Sequence, residues 1–231
     1  MAPEPRLLLS CEHGGNAIPR AYRALFAGQR RRLASHHGWD PGALRFARAL
    51  ARASGAPLVA ATTSRLLVDL NRSPHNPAVF SDRTRALPLA ERLRLLERQH
   101  RPHWERVERE IERLGRSGRR VLHLAVHSFT PRLGPTPRDF EMALLYDSQR
   151  AAERALASRW QRTLRAADPS LRVRRNAPYR GADDGLTSAL RRRYRPSRYL
   201  GIELELNQAA LADPSLRRRL LRAVRSLLAA C

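Results

Sequence analysis

The sequence has no lysine, only two cysteines and no apolar stretch that approaches the ~18 residues of a membrane-spanning helix. Two cysteines, Cys11 and Cys231, are few for a chain of 231 residues and fit a reducing compartment. A disulfide between them is possible, but nothing else in the sequence supports it. The N-terminal residues MAPEPR lack the basic segment and apolar core of a secretory signal. We therefore expect a cytoplasmic protein without a membrane segment.

Because lysine is absent, all 44 basic residues are arginine, and against 21 acidic residues they give a net charge of +23. Nucleic-acid-binding proteins usually cluster their basic residues and interleave them with aromatics. Here the arginines are spread over nearly every predicted helix, and aromatic residues make up 6%. We therefore expect no specific nucleic-acid partner. A non-enzymatic polyanion-binding protein is one alternative, because such a surface attracts polyanions at low salt.

The sequence also lacks several common catalytic motifs: a HExxH helix, a CxxC pair, a GxSxG elbow and a P-loop. Ser128 adjoins His127, but neighbouring residues on a strand point to opposite faces, which argues against a serine hydrolase. Cys11 is predicted to lie inside a strand, which argues against a cysteine nucleophile.

Strand-like and helix-like segments alternate along the chain. This pattern predicts a three-layer α/β/α fold with a mixed, mostly parallel central sheet. We find no internal repeat, no low-complexity segment and no linker, so residues 1–231 are expected to form a single domain. The first predicted strand begins at Leu7, and the others cover residues 57–62, 66–70, 120–126, 140–146, 171–173 and 199–206. The predicted helices cover residues 19–26, 41–55, 88–114, 148–166, 184–193 and 211–230.

The first predicted strand ends in the sequence SCEHGG, which places His13 in a tight glycine turn. Ligands of open α/β sheets gather outside the carboxyl ends of the strands, so a histidine there can reach a metal or a substrate. Gly14 and Gly15 remove side chains that would block a close approach. The alternative is a turn histidine that bonds only to the backbone.

Two further candidates lie at the ends of other elements. Asp40 precedes Pro41 at a predicted helix start, where it is either an ordinary N-cap or a metal-binding carboxylate. His127 lies at the carboxyl end of the strand 120–126, and His123 shares its face at a deeper position. The long helix carries two more histidines, which we interpret as surface or packing residues: His100 and His103.

Charged residues mark two other predicted strands. Arg72 follows the strand 66–70, where its planar guanidinium suits a carboxylate. Glu203 and Glu205 alternate with aliphatic residues in the last strand, and buried carboxylates need partners. They therefore fit either a solvent-facing edge or an active-site crevice that contains cations.

Together these residues predict a metal site. His13, His127 and Asp40 form the two-histidine, one-carboxylate set of a catalytic zinc, which leaves a position open for water. Glu205 near such an ion is what a hydrolase needs as a general base. Arg72 near the ion can bind a carboxylate of the substrate.

Seven sequence blocks follow one another along the chain: SCEHGGN, HHGWDPGA, SRLLVDLNRS, VHSFTP, RDFEMALLYD, NAPYRG and IELELNQ. In their order and spacing they resemble the N-formylglutamate amidohydrolase family, distant relatives of the zinc carboxypeptidases, over roughly residues 7–208. The resemblance implies a zinc-exopeptidase-like, phosphorylase/hydrolase-like fold and a single catalytic domain of this family. It also implies a zinc-dependent enzyme that cleaves N-formylglutamate to formate and glutamate in histidine degradation. The alternative on the same fold is a different zinc-dependent deacylase or a carboxypeptidase-like amidase.

The resemblance further implies roles for single residues. His13 and His127 match the motif histidines and would bind one ion, Zn²⁺ or another divalent metal. Asp40 is the expected third ligand. Zinc carboxypeptidases usually carry a ligating glutamate at the position of Asn16, so the third ligand must come from elsewhere. Glu12 is the fallback because it neighbours His13.

The remaining implied roles concern catalysis and substrate binding. Glu205 matches the catalytic glutamate, with Glu203 as the alternative. Four residues are expected to contact the substrate, a small acidic N-acyl amino acid: Asn71, Arg72, Arg138 and Tyr179.

Overall fold

The computed structural model describes residues 5–229 of the chain. Cys231, and with it the possible disulfide to Cys11, lies outside the described residues. Cys11 is buried in the first strand, as predicted, and forms no disulfide within the described part of the chain.

A six-stranded mixed sheet organises the fold, which confirms the predicted class. The strands are β1 (Arg6–Cys11), β2 (Leu58–Ala60), β3 (Val121–Phe129), β4 (Arg132–Leu133), β5 (Thr136–Pro137), β6 (Met142–Leu145), β7 (Val173–Arg175) and β8 (Tyr199–Asn207). The sheet order is β2-β1-β3-β8-β6-β7, and β4 pairs with β5 in a separate hairpin. The first four strands of the sheet run parallel, whereas β6 runs antiparallel to β8 and parallel to β7.

Helices cover both faces of this sheet. The α-helices are α1 (Arg30–Ala34), α2 (Ala43–Ser54), α3 (Asp82–Arg85), α4 (Leu89–Leu95), α5 (Arg101–Gly115), α6 (Ala151–Ala167), α7 (Leu186–Arg193), α8 (Gln208–Ala212) and α9 (Pro214–Ala229). Helices α2, α6 and α9 pack on one face, and α5 and α7 on the other. Two 3₁₀ turns (Arg20–Phe26 and Pro77–Val79) and one π-helical turn (Leu96–His100) complete the helical segments.

The two central strands, β3 and β8, bring the sequence-predicted residues together. Every residue of both strands is buried, and the strands pair in parallel with His127 opposite Glu205. Side chains alternate between faces, so both of these side chains lie on the face covered by α5 and α7. The two glutamates of β8, Glu203 and Glu205, therefore lie in a crevice and not at a sheet edge.

The predicted strand at 66–70 is wrong. These residues form a turn whose leucines pack into a separate apolar cluster with Phe26, Val79 and Leu95. A buried apolar run resembles a strand in sequence, but here other groups satisfy its backbone: Asp69 N donates to the Val79 carbonyl at 2.8 Å, and the Trp104 indole donates to the Leu70 carbonyl at 2.8 Å. Arg72 thus follows a buried loop.

The long predicted helix at 88–114 is interrupted. It consists of α4, the π-helical turn and α5, with Pro102 in the first turn of α5, where proline is tolerated. His100 and His103 are buried, which excludes the surface interpretation for both. His100 Nε2 lies 2.7 Å from the Arg72 carbonyl, which ties the turn to the loop before the site.

His123 lies below the site and is wholly buried. Its Nε2 lies 2.7 Å from Ser10 Oγ, and its Nδ1 lies 2.8 Å from the Tyr199 hydroxyl. Burial lowers the pKa of His123 from 6.5 to about 4. Between these two values the unfolded chain binds a proton that the native state excludes, so stability falls as the pH falls across that window. At ~1.4 kcal/mol per pKa unit, the whole window amounts to ~3 kcal/mol.

This linkage predicts that a His123→Gln variant loses less stability on acidification than the natural protein does. Urea unfolding at about pH 7 and about pH 5 measures the difference, which we expect to reach ~2 kcal/mol. A variant at the exposed His75, His75→Gln, is the matched control. An equal loss of stability in the His123→Gln variant and the natural protein would contradict this account.

Candidate metal centre

A cavity of about 430 Å³ lies beyond the carboxyl ends of β1, β3 and β8. This is where ligands of open α/β sheets bind. Arg138, a predicted substrate contact, is not part of its lining: it is buried with its guanidinium 5.5 Å from the Tyr179 ring centroid. The predicted site residues that line the cavity are His13, Asp40, Asn71, Arg72, His127, Tyr179, Glu203 and Glu205.

His13 follows β1 in the predicted glycine turn. The glycines are needed because the turn packs closely: a Cβ on Gly15 would lie 2.6 Å from the Thr62 carbonyl oxygen. The His13 ring bonds a carboxylate and not the backbone, since Nε2 lies 2.6 Å from Asp69 Oδ1. Its Nδ1 is buried and lies 3.6 Å from Asp40 Oδ2. This nitrogen has no hydrogen-bond partner within the described chain.

His127 repeats this arrangement from the end of β3. Its Nδ1 lies 2.9 Å from Asp40 Oδ2, and its Nε2 lies 3.1 Å from Glu12 Oε2. Each of the two rings therefore turns Nδ1 toward Asp40 and Nε2 toward another buried carboxylate. Metal-binding histidines are commonly oriented in this way by a carboxylate on the second ring nitrogen.

Asp40 does not serve as a helix cap. Helix α2 begins at Ala43 after Gly42, and no side chain caps it. The Asp40 carboxylate instead accepts a hydrogen bond from Ser128 N at 3.2 Å and meets the two imidazoles. Burial alone would raise the pKa of Asp40, but the neighbouring histidines hold the pKa below its ordinary range. The carboxylate is therefore ionised, as a metal ligand must be.

Three buried residues can together hold a metal ion. His13, Asp40 and His127 each offer one ligand atom, and these atoms lie within 4.8 Å of one another. The donor set of two nitrogens and one oxygen suits zinc and related divalent ions. The unpartnered Nδ1 of His13 supports this fit, because a buried nitrogen without a hydrogen bond is otherwise unfavourable.

Glu12, the fallback ligand, lies on the far side of His127 from Asp40. It is fully buried, and its other oxygen lies 3.3 Å from His103 Nε2. Burial alone would raise the pKa of Glu12, but these two histidines hold the pKa well below its usual range. The sequence predicts only a surface or packing role for His103; its place on the apolar face of α5, four residues before the buried Val107, indicates burial but not the contact with Glu12.

Arg65 and Asp69 were also missed as site residues. Arg65 donates to Asp69 Oδ2 through Nε at 3.2 Å and Nη2 at 2.8 Å, and its Nη1 lies 3.6 Å from Asp40 Oδ1. Asp69 in turn holds His13, so the arginine fixes both carboxylates around that ring. The signal was an arginine and an aspartate four residues apart within the SRLLVDLNRS block.

The two glutamates of β8 differ in their partners. Glu203 Oε1 accepts a hydrogen bond from the Thr187 hydroxyl at 2.5 Å. Glu205 Oε2 is buried and lacks a hydrogen-bond partner within the described residues. Burial raises the pKa of Glu205 to about 7; His127 opposes this rise, and Asp40 adds to it. Glu205 therefore has one oxygen free to accept a proton, and its pKa lies near neutral pH.

Asn71 and Arg72 lie together on one wall of the cavity. Asn71 Oδ1 accepts from Leu186 N at 2.9 Å, and its Nδ2 lies 3.5 Å from His127 Nε2. Arg72 donates to the carbonyl of Asp184. The pair is thus fixed to the first residue of α7 and to the loop before it.

Comparison with known proteins adds to this geometry. The chain is similar to a solved structure of the gene product Atu2144 from Agrobacterium tumefaciens, with 31% identity over 98% of this chain and 90% of that chain and a TM-score of 0.84. It shares its fold with the N-formylglutamate amidohydrolase from Ralstonia eutropha JMP134, at 20% identity over 99% of this chain and 94% of that chain, with a TM-score of 0.72. No curated protein sequence matches the chain significantly.

Two further findings bear on the class of protein. No helix in the described part of the chain is both long and apolar enough to cross a membrane. The sequence model of the N-formylglutamate amidohydrolases matches residues 5–212, which is most of the chain. The chain therefore belongs to the N-formylglutamate amidohydrolase family, whose members are hydrolases of a small substrate.

Proposed function

We propose that this protein is a zinc-dependent amidohydrolase that cleaves the formyl amide of N-formylglutamate, or of a similar N-acyl amino acid, to release formate and the free amino acid. The observation that carries the proposal is the convergence of His13, Asp40 and His127 beside the unpaired carboxylate of Glu205. Family membership supports the reaction class. We further propose that the whole chain acts as one catalytic domain, and the scarcity of cysteine supports a cytoplasmic location.

The three ligand candidates would hold the ion through the two Nδ1 atoms and one Asp40 oxygen. When bound, a divalent ion such as zinc polarises a carbonyl and lowers the pKa of water. Asp69 and Glu12 hold the outer nitrogens of the two rings and so fix their orientation.

Glu205 is the general base in this proposal. Its free oxygen takes a proton from the attacking water, and the same group later gives that proton to the departing amine nitrogen. Arg65 lines the cavity beside Asp40, so its guanidinium is placed to stabilise the negative charge that develops on the carbonyl oxygen. A well-placed donor of this kind is typically worth ~3 kcal/mol of barrier.

Arg72, together with Asn71, binds the α-carboxylate of the substrate and so positions the scissile amide. An Arg72→Ala variant should raise KM for N-formylglutamate by about 10- to 100-fold. This factor corresponds to the binding free energy of a hydrogen-bonded charge pair. The matched substrate is the α-carboxamide of N-formylglutamate, for which KM should hardly change. Steady-state kinetics with both substrates measure the effect, and equal effects on both would count against carboxylate binding.

The rival is a polyanion-binding protein without catalysis, which the net charge of +23 motivates. It predicts strongly salt-dependent affinity for nucleic acid and no formate release. The cluster of buried ionisable groups in one cavity favours the enzyme, because perturbed groups of this kind concentrate at active sites.

A further inference from the structure

The outer part of the cavity carries two large apolar residues that the proposed chemistry does not require. Leu133 and Tyr179 line it, yet these residues are 61% and 47% exposed. They are two of the few large apolar residues that are exposed within the described chain. His36 and His37 line the same mouth with ring centroids 4.1 Å apart. Exposed apolar groups around a cavity typically mark contact with a ligand.

The loop that carries Tyr179 is anchored on both sides of it. Asn176 Oδ1 accepts from Tyr146 N at 3.0 Å and from Gly181 N at 3.1 Å. Gly181 is needed there because a Cβ would collide with the Tyr146 backbone. The tyrosine is therefore held at the mouth even though its ring is half exposed.

Arg138 joins this loop to the segment that leads into the β4–β5 hairpin. Its guanidinium lies 5.5 Å from the Tyr179 ring centroid, and its Nη1 lies 3.2 Å from Thr130 Oγ1. Thr130 lies two residues before β4, the strand of the hairpin that carries Leu133. A buried arginine against an aromatic ring stabilises the ring position through a cation–π contact. Arg138 thus links the two segments that carry Leu133 and Tyr179. These two residues form the apolar surface of the cavity.

The arginines that line the cavity offer few free positive charges for a second carboxylate on the substrate. Arg65 is bonded to Asp69 and is the proposed donor to the carbonyl oxygen, and Arg72 is the proposed partner of the α-carboxylate. The third arginine of the lining, Arg180, is exposed, and two aspartates, Asp183 and Asp184, line the same cavity. An acidic substrate side chain that approaches Arg180 would therefore also meet these carboxylates.

Arg72 and the apolar surface lie on connected walls of the cavity. Asp184, in the loop that follows Tyr179, accepts from Ser73 N at 2.9 Å and from the Arg72 guanidinium. We propose, on the basis of the proposed function, that the substrate is an N-formyl or other N-acyl amino acid with a large apolar side chain. That side chain packs against Leu133 and Tyr179, while Arg72 holds the α-carboxylate.

The test compares N-formyl-L-phenylalanine with N-formyl-L-glutamate on the zinc-loaded protein. We expect kcat/KM to favour the phenylalanine compound by about tenfold or more, as burial of an aromatic side chain implies. The variants Tyr179→Ser and Leu133→Ser should each lower this ratio at least several-fold, mainly through KM. The matched control is Leu93→Ser, at a half-exposed leucine of α4, and it should leave the ratio unchanged. A ratio below one in the natural protein, or equal ratios in all variants, would overturn the inference.

Binding separates this inference from the proposed function. Calorimetry with both compounds and the zinc-loaded protein reports the side-chain preference even if neither compound is hydrolysed. Tighter binding of N-formyl-L-phenylalanine without turnover would support the apolar surface and contradict the proposed reaction. Turnover with preference for N-formyl-L-glutamate would support the reaction and contradict the apolar surface.

Discussion

Glutamine in place of Glu205 should lower kcat for formate release by about 10²- to 10⁴-fold while the zinc content stays unchanged. The amide has the shape of the carboxylate but cannot accept the proton of the attacking water. Glu205 is not one of the three residues that can hold the ion, so the metal site should survive the change. Formate release from N-formylglutamate, paired with metal analysis of the same sample, measures both effects.

Glu203→Gln is the matched control for this variant. Both glutamates are buried on the same face of β8, but Glu203 is already engaged by the Thr187 hydroxyl. We expect this variant to retain activity within about tenfold. Near-normal activity of Glu205→Gln, or an equal loss in both variants, would remove the assigned role from Glu205.

Alanine in place of His127 should leave the purified protein with less than about a tenth of its zinc, because one of three ligands is lost. The change also leaves Asp40 and Glu12 without the imidazole that lies between them. Metal analysis of the purified variant measures the loss, and circular dichroism reports whether it folds. An alanine at the exposed His75 is the control, and unchanged zinc in the His127 variant would contradict the ligand assignment.

Glu12→Gln keeps this prediction testable if the His127 variant does not fold. The glutamine retains the shape of the side chain but weakens the charged contact to His127 Nε2. Loss of such an orienting carboxylate typically costs about 10- to 100-fold in metal affinity. Competition with a zinc chelator measures the affinity. An unchanged affinity would mean that Glu12 does not act on the metal site through His127.

The sequence allowed prediction of the sheet, because long apolar strands with polar residues at their carboxyl ends have a clear pattern. β1, β3 and β8 were found in this way, and with them His13, His127 and Glu205. The predicted strand at 66–70 failed because the pattern reports burial, and a buried turn can satisfy its backbone through tertiary contacts. Those contacts come from distant residues such as Val79 and Trp104, which no local pattern specifies.

The sequence also left open whether Glu203 and Glu205 lie at an edge or in a crevice. Alternation with aliphatic residues is the same in both cases. The order of strands decides it, since β8 lies between β3 and β6 and is buried on both faces. The roles of His103 and Arg65 could not be predicted for a similar reason. These residues contact the site through Glu12 and Asp69, and only the fold brings these side chains together.

The most direct test of the account is removal and return of the metal in the natural protein. We predict about one zinc ion per chain after purification, loss of formate release from N-formylglutamate on chelation, and recovery when zinc is added. Undiminished formate release from protein shown to be free of metal would contradict the account.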